Sequence, residues 1–536
     1  MEEFRVITKK GIDIAEIDYD LQRDTSGDAG VDSNVFPTRT VDVSHAKATN
    51  NRITCYMLEP EEAEKLKADG RILDVEPSSI DEKAELFAIQ TAEFQRSATN
   101  GQDSVNWGLY RHIQQEYTNY ASQSNSGFSG DYNYTLDGTG VDIVIQDDGV
   151  DPTGHPEWED YNGVTRFQQI DWYAASGVSG TMPSGHYTNN YTGINRAGQH
   201  GSHCCGIAAG KTYGWAKNAR LYSVRLFGGS GNAMSMNDIY DVIREWHLKK
   251  PIDPNTGFRR PTIVNQSWGY SSTYSSNGQI THVFYKGVDQ GITAQNYSSA
   301  LAQYGMTGSK HPSPSTAADV EQQQLTDAGI ICIKAAGNAY HPCAYGAAGS
   351  GPYGSDIYNS YYRTTTYGTS AIYYNRPSSP HSEDTVWVGN VDHDQYGSFE
   401  NLRYDSERGP RLDIMAAGSQ IASATSQVSA YATKQLYPGS STHYMARISG
   451  TSMAAPQVCG MGALWLQANP GGTAAQFKKF LSTHSLKNVI YDSGTAENFN
   501  YGNSIPRLYG APNELAYWPY NSPNPIKFRG TSGNDQ

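Results

Sequence analysis

The sequence predicts an α/β fold, a mostly parallel central sheet with helices on both faces, plus a small α+β unit at the N-terminus. Three observations carry this. From about Val141 onward, short and nearly continuous apolar segments recur, as strands buried on both faces require. Segments of helical periodicity alternate with them, and the first hundred residues have a strand and helix grammar of their own.

Taken in order, "RTVDVSH" and "RITCYML" are strand-like, "EPEEAEKLKADG" is a helix stopped by glycine, and "RILDVEP" returns as a strand. The stretch before Val35 is given no element. A polar, strand-poor linker runs from Ser78 to Asn106. The strands of the large sheet are "VDIVIQ", "ARLYSVRL", "PTIVNQS", "IICIKAA", "TVWVGNV" and "LDIMAAG". Between the second and third, "NDIYDVIREWHLKK" sets Ile239, Val242, Ile243 and Trp246 at i, i+3, i+4 and i+7, one apolar helix face. Residues Tyr120 to Thr139 and Asp171 to Gln199 read as loops, and Tyr270 to Ala318 as a surface insertion. "ISGTSMAAPQVCG" opens a buried helix that continues to Ala468, and the Pro- and Asn-rich tail from Asn498 reads as an extended strap. The expected division is 1–98, 99–497 and 498–536.

The chain has 536 residues, and 40 Lys+Arg against 54 Asp+Glu give a net charge of -14 without long runs of either sign. That disfavours nucleic acid and acidic partners. Only 18% of residues are charged, and 54 Gly and 38 Tyr suit a loop-rich extracellular or particle-associated protein. "MEEFRVITKKG" holds no apolar segment of the secretory type, and no apolar run reaches the roughly 20 residues of a membrane span. The expectation is no membrane partner, and a location inside the cell, in a virus particle, or outside by a non-classical route. Six cysteines make no disulfide framework. Isolated buried thiols are expected, with a bridge involving Cys332 or Cys343 left open.

Three sites fit one reaction. "VDIVIQ" runs into "DDG", placing Asp147 at the carboxyl end of a buried strand, where ligands of such sheets gather, with Gly149 turning the chain. "GQHGSHCCGIAAG" starts a small-residue helix at His200, and "GTSMAAP" places Ser452 at the mouth of the buried helix. A hydroxyl is a weak nucleophile until an imidazole takes its proton, and the imidazole needs a carboxylate to fix its tautomer. Small neighbours let a peptide carbonyl approach, and a helix N-terminus stabilises an oxyanion. Pro456 is expected to be tolerated because a first turn has few backbone bonds to lose. Asp147 alone reads as an ordinary turn carboxylate, and His200 with His203 invites a metal reading; no further ligand lies at metal spacing, so His203 is read as structural.

"VIQDDGVD", "HGSHCCG" and "GTSMAAP", in the order Asp, His, Ser, resemble the signature blocks of the subtilisin-like serine proteases, the subtilase family S8. "NWGLYRH" resembles the start of the mature chain in proteinase K-type members, "NQSWGY" the substrate-binding strand, and "AAGN" the oxyanion-hole block. The resemblance implies a subtilisin-like fold and a serine endopeptidase that needs no cofactor for catalysis, with structural Ca2+ common in the family and its ligands unassigned. It implies Asp147 as the carboxylate, His200 as the base and Ser452 as the nucleophile. Asn338 and the Ser452 N–H would form the oxyanion hole, and Ser267, Trp268 and Gly269 would bind substrate. Cys204 matches a cysteine of proteinase K-like members, a thiol near the site where mercurials act. Trp268 after Ser267 resembles the proprotein-processing branch. "EPEEAEKLKADGRILDVEP" resembles the end of a subtilase propeptide, which implies an autoprocessed zymogen cut between about Asp81 and Val105, whose partners are protein substrates and its own N-terminal unit. The alternatives are a catalytically silent subtilase-fold protein and a carboxyl-serine peptidase; the latter is set aside because His200 and Asn338 stand where it has Glu and Asp.

Overall fold

In a computed structural model of the full chain, the described residues are 1–22, 32–46, 50–78, 84–86, 107–113, 115, 134–188, 198–228, 231–273, 280–285, 288–291, 310–339, 343, 361–364, 371–373, 378–396, 399–492 and 508–520. Much of the linker, of the insertion after Tyr270 and of the tail lies outside them.

The N-terminal unit is built of β1 (Glu2–Thr8), α1 (Ile14–Gln22), β2 (Val43–Ala46), β3 (Ile53–Leu58), α2 (Pro60–Leu66) and β4 (Ile72–Pro77). The sheet order is β2-β3-β1-β4, with β1 antiparallel to both neighbours. Alternation along β1 gives the sheet its two faces. Phe4 and Val6 pack with Ile17, Leu21, Ala63 and Leu66 of the two helices. Ile7, with Ile53 of β3, faces Ala317 and Val320 instead. The stretch before Val35, left without an element by the sequence reading, therefore supplies an interior strand and a covering helix. The strand expected from Arg39 begins only at Val43.

The strand-poor linker contains β5 (Ala84–Leu86). Beyond it come β6 (Asp142–Asp147), α3 (Gln199–Ala209), β7 (Arg220–Arg225), α4 (Asp241–Lys249), β8 (Thr262–Gln266) and β9 (Trp268–Thr273). Next are β10 (Lys310–Pro312), α5 (Thr316–Asp327), β11 (Ile331–Ala335), β12 (Val386–Tyr396), β13 (Phe399–Leu402) and β14 (Ile414–Ala417). The site is completed by α6 (Thr451–Ala468), followed by α7 (Ala474–His484), β15 (Leu486–Lys487) and β16 (Glu514–Leu515). The segment read as an insertion from Tyr270 to Ala318 thus begins within one strand and ends within a helix, because the chain leaves β8 at Gln266 and re-enters a strand, β9, at Trp268.

The large sheet runs β15-β16-β14-β12-β11-β8-β6-β7, with β13 beside β12. From β16 to β7 every pairing is parallel, so the carboxyl ends of β6, β8 and β11 lie at one edge. The core of this unit holds Ile143, Ile145, Ile263, Ile333 and Val388 against Ala455, Val458 and Leu464 of α6. No helix among the described residues is long and apolar enough to cross a membrane.

The described part of the tail is integrated in the sheet through β16. His112, neutral because burial pushes its pKa down to about 3, ties it in place. Its Nδ1 lies 2.6 Å from the Ala516 carbonyl and its Nε2 3.0 Å from the Ala417 N–H. Trp518, 4% exposed, packs against Phe480 and Tyr520 with centroids 5.7 and 5.4 Å away. Trp518→Ala should cost about 3–5 kcal/mol of stability by urea denaturation, the range for a buried tryptophan; a change near zero would show the tail to be merely laid on the surface.

Candidate active site

Asp147 is the last residue of β6, and His200 the second of α3. The Asp147 Oδ1 and His200 Nδ1 are 2.7 Å apart, and both side chains are fully buried. With a carboxylate on Nδ1, that nitrogen carries the proton and Nε2 is left as the acceptor. Nε2 has no partner among the described residues. The approach of α3 to β6 depends on two glycines. Gly149, at φ +107, turns the chain out of the strand, and a Cβ on Gly201 would meet the Gly149 carbonyl oxygen at 2.1 Å.

The second carboxylate of "DDG" has a different task. Asp148 Oδ2 and Oδ1 accept the N–H groups of His200 (3.2 Å) and Gly201 (2.7 Å) at the N-terminus of α3. Burial pushes the Asp148 carboxyl up to about 7, and the charge of Asp147 adds to the rise. For His200, burial works toward a lower pKa, but Asp147 and then Cys204 outweigh it, and the imidazole lies well above 6.5.

Ser452 is the second residue of α6, whose first sixteen residues are all buried. Its Oγ donates to the Ser267 carbonyl oxygen at 3.1 Å, not to His200. Hydrogen bonds between a hydroxyl and its base are commonly long or misaligned until substrate is bound. The Ser452 carbonyl oxygen is held as well, accepting from Ser267 Oγ at 2.9 Å and Cys204 Sγ at 3.4 Å. The reason is Pro456. It is the sixth residue of the helix, beyond the first turn where the sequence reading placed its tolerance, and it has no N–H to give to the carbonyl four residues back.

Asn338 stands three residues beyond β11. Its Oδ1 accepts from the N–H of Thr451 at 2.9 Å and from Thr451 Oγ1 at 3.0 Å, which fixes the amide and directs Nδ2 elsewhere. Nδ2 is buried without a partner among the described residues. The N–H of Met453 bonds to the Gly450 carbonyl at 2.9 Å, whereas no described residue accepts from that of Ser452. One unpartnered amide and one free helix N–H are what an oxyanion hole is made of.

Ser267, Trp268 and Gly269 lie where β8 passes into β9. The indole of Trp268 is fully buried, 6.2 Å from Phe227 between centroids, so this residue can meet a substrate through its backbone alone. Leu86 and Glu85 of β5 pair with Trp268 and Gly269 in antiparallel register. Sequence reasoning missed Lys334, whose signal was a lone cation inside "IICIKAA". Burial pushes its pKa down to about 7 against the pull of Asp319, and Nζ donates to the Trp268 carbonyl at 2.5 Å. It lies near the Trp268 and Trp387 rings, 5.8 and 5.3 Å from their centroids. Thr451 and Asp148 were likewise present in the motifs but assigned no task.

All six cysteines are buried, and neither Cys332 nor Cys343 takes part in a disulfide bridge. His203, read as structural, places Nε2 3.0 Å from the Ala446 carbonyl oxygen. Among the described residues, the one group of His, Cys, Asp and Glu close enough to share a metal is Asp147, His200 and Cys204. Its nitrogen and sulfur donors do not fit calcium, so no described cluster is assigned that ion.

The family model described as the subtilase family, peptidase S8, matches residues 138–505, more than half of the chain. The chain belongs to that family and is a subtilisin-like serine endopeptidase. It is 24% identical over 464 residues to an extracellular serine proteinase of Thermus sp. (strain Rt41A), covering 86% of this chain and 74% of the relative. A cuticle-degrading serine protease of Arthrobotrys oligospora is 23% identical over 426 residues, 78% of this chain and 69% of that one. The solved structure of fervidolysin from Fervidobacterium pennivorans, a keratinolytic enzyme related to subtilisin, has a TM-score of 0.50 at 16% identity, covering 96% of this chain and 60% of that one.

The bond between Ser267 and the Ser452 carbonyl makes a prediction. Ser267→Ala leaves that carbonyl with a thiol alone and should cost about 1–3 kcal/mol in urea denaturation. In the Ser267→Ala, Pro456→Ala double variant the restored N–H should recover part of the loss; strict additivity of the two changes would contradict the assignment.

Proposed function

We propose that this chain hydrolyses peptide bonds through Asp147, His200 and Ser452 by way of an acyl-enzyme. His200 Nε2 takes the proton as Ser452 Oγ adds to the substrate carbonyl, and returns it to the leaving amine. Asp147 holds the Nδ1–H tautomer and balances the imidazolium. The carbonyl oxygen, as it becomes negative, moves between Asn338 Nδ2 and the Ser452 N–H. The observation that carries this reading is the 2.7 Å contact of Asp147 with His200, joined to a buried, unpartnered Nε2 on the other side of the ring.

The enzyme is made as a zymogen in this reading. Residues 1–98 form the inhibitory and folding unit with its linker, 99–497 the catalytic part and 498–536 the tail. Three features support it. His200 and Ser452 have no exposure in the uncut chain. The edge of β9 is occupied by the chain's own β5. Finally, Glu76 of β4 caps α5, with Oε2 2.7 Å from the Thr316 N–H and Oε1 3.1 Å from that of Ala317 and 2.9 Å from Ser315 Oγ. Structural calcium, a property of the family, would have to bind through residues other than the Asp147, His200 and Cys204 group.

Ser452→Ala should abolish casein hydrolysis and leave residues 1–98 attached; full activity in that variant would end the proposal. Asn338→Ala should lower turnover by about 10²–10³, a figure established on subtilisin, a member of the same family, with KM little changed. Because an imidazolium cannot accept the Ser452 proton, kcat/KM should rise with pH through a midpoint above 6.5, the ordinary value from which His200 is raised. Asp147→Asn should move that midpoint down, and a midpoint unmoved would separate Asp147 from the base.

A further inference from the structure

Beyond β11 the chain leaves the large sheet. The Ala336 N–H still donates to the Val388 carbonyl of β12 at 3.0 Å, but the Gly337 N–H goes to Thr451 Oγ1, also at 3.0 Å. Asn338 and its two neighbours belong to no strand. One residue of a distant turn takes hold of them. The Glu407 N–H donates to the Gly337 carbonyl at 2.9 Å, and Glu407 Oε1 accepts the Ala339 N–H at 3.3 Å. The main chain and the side chain of Glu407 thus grip the residues on either side of Asn338. The fit is close, because Gly337 lies at φ +120 and a Cβ on it would meet Glu407 Cγ at 2.7 Å. Glu407 is itself fixed, in the turn between β13 and β14. It is 3% exposed, and Ser406 Oγ donates to its carbonyl at 2.8 Å while accepting the Asn390 N–H of β12 at 2.9 Å. The Cys343 thiol donates to Oε2 at 3.8 Å and the Cys343 N–H to the Arg408 carbonyl at 2.5 Å, so the chain beyond Asn338 returns to the same turn.

We propose that Glu407 is a positioning residue for the oxyanion hole, locking the backbone on both sides of Asn338 so that Nδ2 stands where the substrate carbonyl becomes negative. The inference rests on the serine-peptidase reading above and deepens it at Asn338. Thr451 fixes how the amide is turned, and Glu407 fixes where the residue that carries it stands. A donor aimed at an oxyanion is effective only if it needs no rearrangement when the charge appears, and a misplacement of about 1 Å can cost about 10²-fold in rate. Glu407 acts through Asn338 and touches no reacting atom, so its effect falls on the transition state. The carbonyl of bound substrate carries little negative charge before attack, so kcat suffers and KM does not. The side chain serves as an acceptor rather than as a charge, since the two groups it receives are an amide N–H and a thiol.

The test measures kcat and KM on a peptide substrate, with active enzyme counted by fluorophosphonate labelling to completion so that unfolded molecules do not enter. Glu407→Leu keeps the packing against Gly337 and loses the acceptor. It should lower kcat by at least about tenfold with KM within about twofold, and Glu407→Gln, whose Oε1 still accepts from Ala339, should recover most of that loss. The deciding measurement is made in Asn338→Ala, where adding Glu407→Leu should lower kcat by no more than about twofold further, since the place of the amide cannot matter once the amide is gone. Losses that multiply, equal losses in the Leu and Gln variants, or an unchanged kcat in Glu407→Leu would overturn this inference and, with Asn338→Ala impaired, leave the serine-peptidase reading intact. An Asn338→Ala enzyme with unaltered kcat would remove Asn338 from the oxyanion hole and this inference with it. Should Glu407→Leu yield no folded protein, Gly337→Ala, which drives a methyl against Glu407 Cγ, must show the same selective loss of kcat, and unchanged turnover there would overturn the inference.

Discussion

Pro456 withholds from the carbonyl of Ser452 the N–H that an uninterrupted helix would supply, and Ser267 takes its place. The two residues then grip each other, Ser267 Oγ donating to the Ser452 carbonyl and Ser452 Oγ to that of Ser267. An unsatisfied carbonyl inside a buried helix would be expensive, so the link between α6 and the β8–β9 junction is obligatory rather than decorative. It ties the residue with the hydroxyl to the strand whose edge is paired with β5. Asn265 steadies the arrangement from below, its Nδ2 donating to Ser267 Oγ at 2.9 Å. The first turn of α6 is anchored at a second point, where Thr451 meets Asn338, and Ser452, the Asn338 amide and the edge of β9 become parts of one corner.

The same corner explains why the N-terminal unit docks where it does. Its sheet has an apolar face toward α5, with Ile7 and Ile53 against Ala317 and Val320, and Glu76 closes the N-terminus of that helix. Asn50 adds a bond to Gln324, Nδ2 to Oε1 at 2.9 Å. Only the few residues from Pro77 to Ala84 separate this docked sheet from the β9 edge, so the linker is delivered to the strand in a narrow range of registers. Packing at a distance thereby helps bring β5 to the edge of β9.

Much of this was legible in the amino-acid sequence because the chemistry demands rare combinations. A serine among Gly, Thr and Ala at the head of an apolar helix, a histidine at the head of another and an aspartate at a strand end belong to few reactions. Six strands of the large sheet were visible as apolar runs because burial on both faces leaves no room for polar alternation. The strand Glu2–Thr8 was passed over, although Phe4 and Val6 alternate with Glu3 and Arg5, because seven residues with three charges look like a solvated terminus. Arg5 is in fact buried, 3.5 Å from Glu76 and 3.1 Å from the Asn237 side chain. Asp148 was hidden by its neighbour, and the part played by Pro456 depended on a contact 189 positions earlier in the chain, at Ser267, that no local pattern encodes. The short strand Ala84–Leu86 exists only because β9 has an edge to offer, so its own composition carried no signal.

The central claim is that these separate segments make one site, in which Ser452 is the nucleophile and the amide of Asn338 waits for negative charge. It is tested most directly by a crystal structure of the processed enzyme inactivated with a fluorophosphonate. The account predicts phosphorus bonded to Ser452 Oγ, the phosphoryl oxygen within hydrogen-bond distance of both Asn338 Nδ2 and the Ser452 N–H, and His200 Nε2 beside the ester oxygen. A phosphoryl oxygen turned to solvent with the Asn338 amide still unpartnered, or an adduct on any other residue, would contradict it.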